Sequence, residues 1–246
     1  MKPTASSLKR GFLAAAAILF FILELIRPAE SRAQFWPVMF DGARTLRQAQ
    51  LEITPFASGS YYHATNRTAT GYLGGIRAGI GISKKFDLRV AYGYGDYNAA
   101  VSYHYLKSRQ QVVTLEPKFS FLNGHLSFQV PVGLIFSKAN RSSFWLQPGI
   151  TGSLRIKEFM EFNLTTSIEI VTPGVYSHAG VSLMGGFDPD FDPILGGNFG
   201  LAFSSNLRRW SVRPEGFLYF PLGQYSHNMF YGWAVAFTYN IDLTKK

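Results

Sequence analysis

Cysteine is absent from the 246 residues. That excludes thiol catalysis, cysteine-ligated zinc, a disulfide framework and a lipid anchor on an N-terminal cysteine. Charge is sparse: Asp, Glu, Lys and Arg make up 16%, whereas a soluble domain carries about a quarter. Beyond the N-terminal stretch no apolar run approaches the roughly 18 residues of a membrane helix. A helical span downstream is therefore excluded. Yet hydrophobic residues reach 47% at a mean hydropathy of only +0.03, so polar residues must be interleaved with them. The 13 Tyr, 22 Phe and 24 Gly suit strands and turns better than helices.

The N-terminus reads as a secretory signal over residues 1–33. Lys2, Lys9 and Arg10 form a basic start, Gly11 to Leu23 is apolar, and Ser31-Arg32-Ala33 offers small residues where a signal peptidase reads. The alternative, an uncleaved anchor, is disfavoured by the short run and by Glu24. Residues 34–49 are expected to be a short periplasmic segment, with a weak helical pattern around Asp41 to Gln50. Removing the leader lowers the formal charge from +9 to +6. The remaining basic residues are dispersed, and export argues against a nucleic-acid partner.

From about residue 50 to the C-terminus the pattern has period two. Trp233, Val235, Phe237, Tyr239, Ile241 and Leu243 alternate with Ala234, Ala236, Thr238, Asn240 and Asp242. Alternate residues of a strand face opposite sides, so one face is large and apolar and the other small and polar. The same division recurs in Tyr72–Ser83, Phe86–Gly95, Val113–Phe121, Leu126–Ser137 and Glu158–Ile170. It is weaker in Gln50–Tyr62, Phe144–Ile156, Ile194–Leu207 and Trp210–Phe220. About ten strands follow, each near the 9–11 residues that cross a bilayer at a tilt. The pattern also admits eight or twelve, because Val175–Gly186 reads as strand or loop.

The connections alternate in length. Lys84-Lys85, Asn123-Gly124, Lys157-Glu158 and Leu207-Arg208-Arg209 are short, and Asn-Gly is a strong hairpin signal. His63–Ala69, Asp96–Arg109, Lys138–Ser142, Val171–Pro193 and Gly223–Met229 are longer. Short turns on one side and long loops on the other belong to a transmembrane barrel. The small residues of the polar faces fit a narrow interior. Aromatics recur at strand ends, among them Tyr61, Tyr72, Phe86, Tyr94, Phe144, Phe159, Trp210, Phe220, Tyr231 and Trp233, as interfacial girdles require. The fold class expected is all-β: an antiparallel up-and-down transmembrane barrel over residues 50–246.

With its leader and the terminal strand Gly232-Trp-Ala-Val-Ala-Phe-Thr-Tyr-Asn-Ile-Asp-Leu243, the chain resembles the small bacterial outer-membrane barrels, the OmpA/OmpX-like superfamily in its broad sense. The resemblance implies location in the outer membrane of a Gram-negative bacterium. It also implies contact with lipid and lipopolysaccharide, and recognition of the last strand by the barrel-assembly machinery. The match departs at the very end, which is Asp-Leu-Thr-Lys-Lys246, and at Phe230, where a polar residue is expected.

The charges expected to face the lumen are Glu52, Arg77, Arg89, Glu116, Lys118, Arg155, Glu161, Glu169, Arg213 and Glu215. Both signs occur, which fits an ion-paired filling or the lining of a narrow pore for a small solute. A barrel of so few strands favours the filled lumen. Catalysis would need a Ser–His arrangement. Ser177, His178 and Ser182, and Ser226 with His227, are the loop candidates, while His63, His104 and His125 are scattered. Neighbours in a strand face apart, so no catalytic residue is assigned and no enzyme is expected. Asp188, Asp190 and Asp192 could offer oxygen to calcium, but Asp-Pro is ordinary turn chemistry. No metal or cofactor is assigned. The expected role is that of an integral outer-membrane barrel, structural, adhesive or narrowly conducting. The alternatives are an outer-membrane enzyme on lipid or peptide and a secreted barrel binding a hydrophobic ligand.

Overall fold

An alternating strand has one greasy side and can hide it only by pairing into a sheet with a consistent register. The computed structural model describes the backbone of residues 42–64, 67–101, 104–137, 140–172, 194–221 and 229–243. Twelve strand segments are formed: β1 Gln50–Ala64, β2 Arg67–Gly81, β3 Phe86–Val101, β4 His104–Phe121, β5 Leu126–Gln129, β6 Val132–Ser137, β7 Asn140–Leu146, β8 Gly149–Lys157, β9 Met160–Thr172, β10 Ile194–Phe203, β11 Trp210–Pro221 and β12 Met229–Asp242.

They make ten staves. β5 and β6 share one register against β4, from Phe121↔Leu126 to Gln110↔Ser137, and are parted only at Val130-Pro131. β7 and β8 likewise run as one stave against β9, parted at Gln147-Pro148. Proline has no N–H to give a ladder, and its carbonyl still accepts: Gln147 N–H donates to the Pro131 oxygen (2.9 Å) and Ile168 N–H to that of Pro148 (3.0 Å). All pairings are antiparallel and sequential. β12 then pairs back onto β1, from Gln50↔Asp242 to His63↔Met229. The sheet is closed, and the chain is an antiparallel ten-stave barrel, as expected from the alternation. The registers advance by about twelve residues in one circuit, which sets a strand tilt of about 40° and a backbone diameter of about 20 Å.

The connections at the end bearing the termini are tight. Asn123 (φ 57) and Gly124 (φ 87) both take the left-handed conformation, which Asn-Gly tolerates. At the other end three links expected to be long loops are instead continued ladder. β3 and β4 stay paired as far as Val101↔His104, within the segment read as the loop Asp96–Arg109. β1 and β2 stay paired to Ala64↔Arg67, and β6 and β7 to Ser137↔Asn140. The apolar alternation stops there because the outer wall turns polar: the exposed Arg109 meets the partly exposed Asp96 at 3.6 Å. Hydrogen bonding continues where the greasy pattern does not. Val175–Gly186 lies outside the described residues.

Large inward side chains sit over glycines of the next strand. The Trp145 ring covers Gly133, Phe217 covers Gly232, Phe56 covers Gly75, and Leu73 covers Gly93. Of the glycines covered by a ring, Gly196 is the tightest: a Cβ there would stand 1.9 Å from the Tyr219 ring. Gly197 faces outward on the same strand, and a Cβ there would meet only an ordinary contact at 3.6 Å. Overpacking of this kind costs about 1–3 kcal/mol. Gly196→Ala is therefore expected to lower the urea unfolding midpoint of the lipid-embedded barrel, read by heat-modified gel mobility. Gly197→Ala should leave it unchanged.

Candidate functional site: the polar lumen

The two faces of the wall have opposite chemistry. Outward residues include Ile76 (50% exposed), Leu164 (55%) and Phe199 (56%), whereas inward Arg89 and Lys118 are 2% and 1% exposed. Aromatics cluster on the outer wall at both ends. Phe86 packs on Phe119 at 4.6 Å and Trp210 on Phe237 at 6.2 Å near the termini; Tyr61 stacks on Tyr231 at 5.6 Å at the far end.

The innermost charges form one connected cluster. Register sets Arg89 opposite Glu116 and Asp87 opposite Lys118, cross-strand pairs of opposite sign. Arg89 lies down over Gly79, whose missing side chain leaves it room. It thereby reaches across β2 to Glu52 on β1 at 3.1 Å, and also holds Asp87 at 2.7 Å. Arg77 bridges Glu52 (3.2 Å) and Glu116 (3.5 Å). The Thr114 hydroxyl donates to Glu116 at 2.7 Å. Two arginines and three carboxylates are thus taken out of water together, which is tolerable only when each is paired.

The chain just before β1 completes this layer. Residues 42–49 run across the termini end of the lumen. Lys118 Nζ donates to the Gly42 carbonyl at 2.8 Å, Ala43 N–H donates to Ser153 Oγ, and Leu46 N–H donates to Asp87 Oδ2 at 2.8 Å. Ala43 and Leu46 are buried, and Arg44 approaches Glu161 at 3.8 Å. Ala49 leads into β1 at φ 58, its N–H donating to the Gly81 carbonyl at 2.9 Å. This stretch lies against the walls formed by β2–β4 and β8–β9, and is a stopper in the mouth. The sequence marks it only as a short periplasmic segment, since eight residues of mixed polarity carry no periodic signal.

Among the described residues a second layer is largely uncharged, with Glu215 as its carboxylate. Gln147 Nε2 donates to Tyr219 Oη (2.7 Å) and Ser167 Oγ (3.1 Å). Tyr219 donates to Asn198 Oδ1 at 2.7 Å, and Asn198 Nδ2 donates to Glu215 at 2.6 Å. Thr151 meets Thr165 at 2.8 Å, and Thr54 meets Thr238 at 3.1 Å.

Of the residues expected in the lumen, Glu52, Arg77, Arg89, Glu116, Lys118, Glu161 and Glu215 lie buried on the inward face. Arg213 is half-buried, its Nε donating to Ser211 Oγ at 2.9 Å. Arg155 is a correction. It has the inward parity but stands at the strand end, where it is exposed and folds over the turn, donating to the carbonyl of Glu158 at 2.8 Å. The Glu169 side chain lies outside the described residues, as do His178, His227, their serines and the Asp188–Asp192 acids. His125 is exposed, and no group of three metal-ligating side chains occurs among the described residues. Sequence reading missed Asp87, which abuts a turn, and the large inward residues Trp145, Phe217, Tyr219 and Phe230. For Trp145, Phe217 and Tyr219 the signal was the glycine directly across the ladder; Phe230 stands opposite Tyr62 and Tyr219 and carries no such signal.

No family model and no curated protein matches the chain. Among solved structures it is similar to the translocator domain of the autotransporter NalP from Neisseria meningitidis, with 11% identity and a TM-score of 0.42 over 77% of this chain and 88% of that one. An outer membrane channel from Pseudomonas putida F1 gives 8% and 0.41 over 88% and 100%. The outer membrane protease OmpT from Escherichia coli gives 10% and 0.39 over 78% and 96%. These likenesses are too distant to carry an argument, and the geometry of this chain bears the functional reading.

The buried cluster and the outer pair Asp96–Arg109 make a direct contrast. Glu52→Ala strips two buried guanidinium groups of a shared partner and should cost about 3–5 kcal/mol. Asp96→Asn removes a pair at the protein surface, with Arg109 exposed and Asp96 partly so, and should cost under about 1 kcal/mol. Equilibrium unfolding of the two variants in the same lipid separates these outcomes.

Proposed function

We propose that the protein is an integral barrel of the bacterial outer membrane, with a closed lumen and a structural or adhesive role. One observation carries this reading: the closed wall is apolar outside and charged inside. A soluble ligand-binding barrel would place Val235, Phe237 and Ile168 inside and Arg77 and Glu116 in solvent; here the first three are exposed and the last two buried. Lipid tails suit such an outer wall, and closure leaves no sheet edge unpaired in the bilayer. The described inward side chains interlock, and the stopper of residues 42–49 crosses one mouth, which supports a filled barrel over a solute channel. β12, the last strand, is the segment that would present itself to the assembly machinery, and lipopolysaccharide would bathe the far end.

Val235 lies mid-strand, opposite Ala57 and Pro214. An arginine on the lipid face near the midplane costs about 2–4 kcal/mol. Val235→Arg should therefore lower the stability of the vesicle-embedded barrel by that amount; an unchanged midpoint would sink the membrane assignment. In planar bilayers the folded wild-type protein should be electrically silent, and steady ion conductance would replace the closed scaffold with a channel.

A further inference from the structure

We infer that the termini end of the barrel carries a cationic collar that binds anionic phospholipid headgroups of the adjoining leaflet. The inference rests on the membrane reading above and adds a ligand class and a place to it.

The collar is built from exposed side chains at three of the four turns of this end: Lys84 and Lys85 between β2 and β3, Lys157 between β8 and β9, and Arg208 and Arg209 between β10 and β11. Arg47 of the stopper is exposed beside them, and Arg155 lies at the same rim. Among the exposed described residues of these turns Glu158 is the one acid. Like charges gathered on a ring repel one another, and among the described residues no ion pair to these five turn side chains offsets the repulsion.

The depth of the collar identifies the ligand. Lys157 Nζ stands 5.8 Å over the Phe159 ring, and the Arg209 guanidinium 6.0 Å from the Tyr239 ring. Arg209 also donates to Tyr239 Oη at 3.3 Å. Phe159 is half exposed on the outer wall, and Tyr239 belongs to the outward row that continues into the Trp210–Phe237 stack. These cations therefore lie against the rim of the greasy belt and not over the mouth. A phosphodiester bound there would place its acyl chains along Phe237 and Val235, which are exposed. A soluble anionic polymer would gain nothing from that wall. Anionic headgroups are drawn to juxtamembrane cations in this way, and the attraction is screened by salt.

The test refolds the full chain into vesicles of phosphatidylcholine with a minor fraction of phosphatidylglycerol and counts co-purifying lipids by native mass spectrometry. The wild type is expected to retain phosphatidylglycerol about fivefold over its bulk fraction, with the excess falling at high salt. Replacing Lys84, Lys85, Lys157, Arg208 and Arg209 together by Gln should bring retention down to the bulk ratio. Heat-modified mobility should persist, since the Arg208–Arg209 turn is held by backbone N–H and carbonyl groups that the substitutions keep, and the Arg209 side chain adds only its exposed contact with Tyr239. Arg109→Gln, at the opposite end, should change nothing. Equal retention by the wild type and the five-fold variant would overturn the collar while leaving the barrel in its membrane. Loss in the variant of binding to purified peptidoglycan, with lipid retention unmoved, would overturn it too. Failure of the wild type to enter any vesicle would remove the membrane reading itself, and the collar with it.

Discussion

Everything in this molecule depends on β12 finding β1. A sheet of ten staves with two free edges would leave a row of unpaired N–H and C=O groups on each, and no lipid could satisfy them. The pairing from Gln50↔Asp242 to His63↔Met229 removes both edges. Once the ring is shut, the period-two pattern has a global meaning: every odd step on one strand and every matching step on its neighbours face one enclosed volume. A one-residue slip in any ladder would turn that strand's charges outward.

Closure creates a second demand, because about 20 Å of backbone diameter encloses a volume that side chains must fill. The chain meets it in two ways. Near the termini it packs paired charges, with Arg77 and Arg89 shared among Glu52, Asp87 and Glu116. Higher up it packs aromatic rings over glycines, with Tyr219 over Gly196 and Trp145 over Gly133. The devices are linked by Gly79, whose bare backbone lets Arg89 lie flat and span to β1. A glycine in a strand ordinarily weakens it; here it is the recess that admits the largest buried side chains.

The architecture was legible because alternation is written residue by residue. Val235, Phe237 and Tyr239 against Ala234, Ala236 and Thr238 need no knowledge of the rest of the fold. Orientation was legible from the smallness of the polar face. What could not be read is whatever depends on meeting across the ring. Glu52 and Arg89 lie 37 positions apart, and nothing local in either strand announces the contact. Phe230 looked like a departure from the expected pattern and is an inward filler packed in the lumen. The tip of the β3–β4 hairpin has the sequence of a loop because it lacks the apolar alternation, whereas its ladder is held by backbone alone. Arg155 failed for the opposite reason: its parity was right, but a long side chain at a strand end is free to leave its face.

The stopper shows how these constraints combine. Eight residues with little intrinsic structure become fixed because the mouth of the barrel holds buried polar groups that their backbone can meet. Lys118 Nζ donates to the Gly42 carbonyl, while Asp87, opposite it in the register, holds Arg89 with one oxygen. The second oxygen of Asp87 in turn takes the Leu46 N–H. Leu46 covers the bare backbone of Gly79. The stopper is thus held by polar demands that a closed, ion-filled barrel generates at its end. A wider ring with a watered lumen would meet those demands with solvent, and the same segment would have no reason to stay.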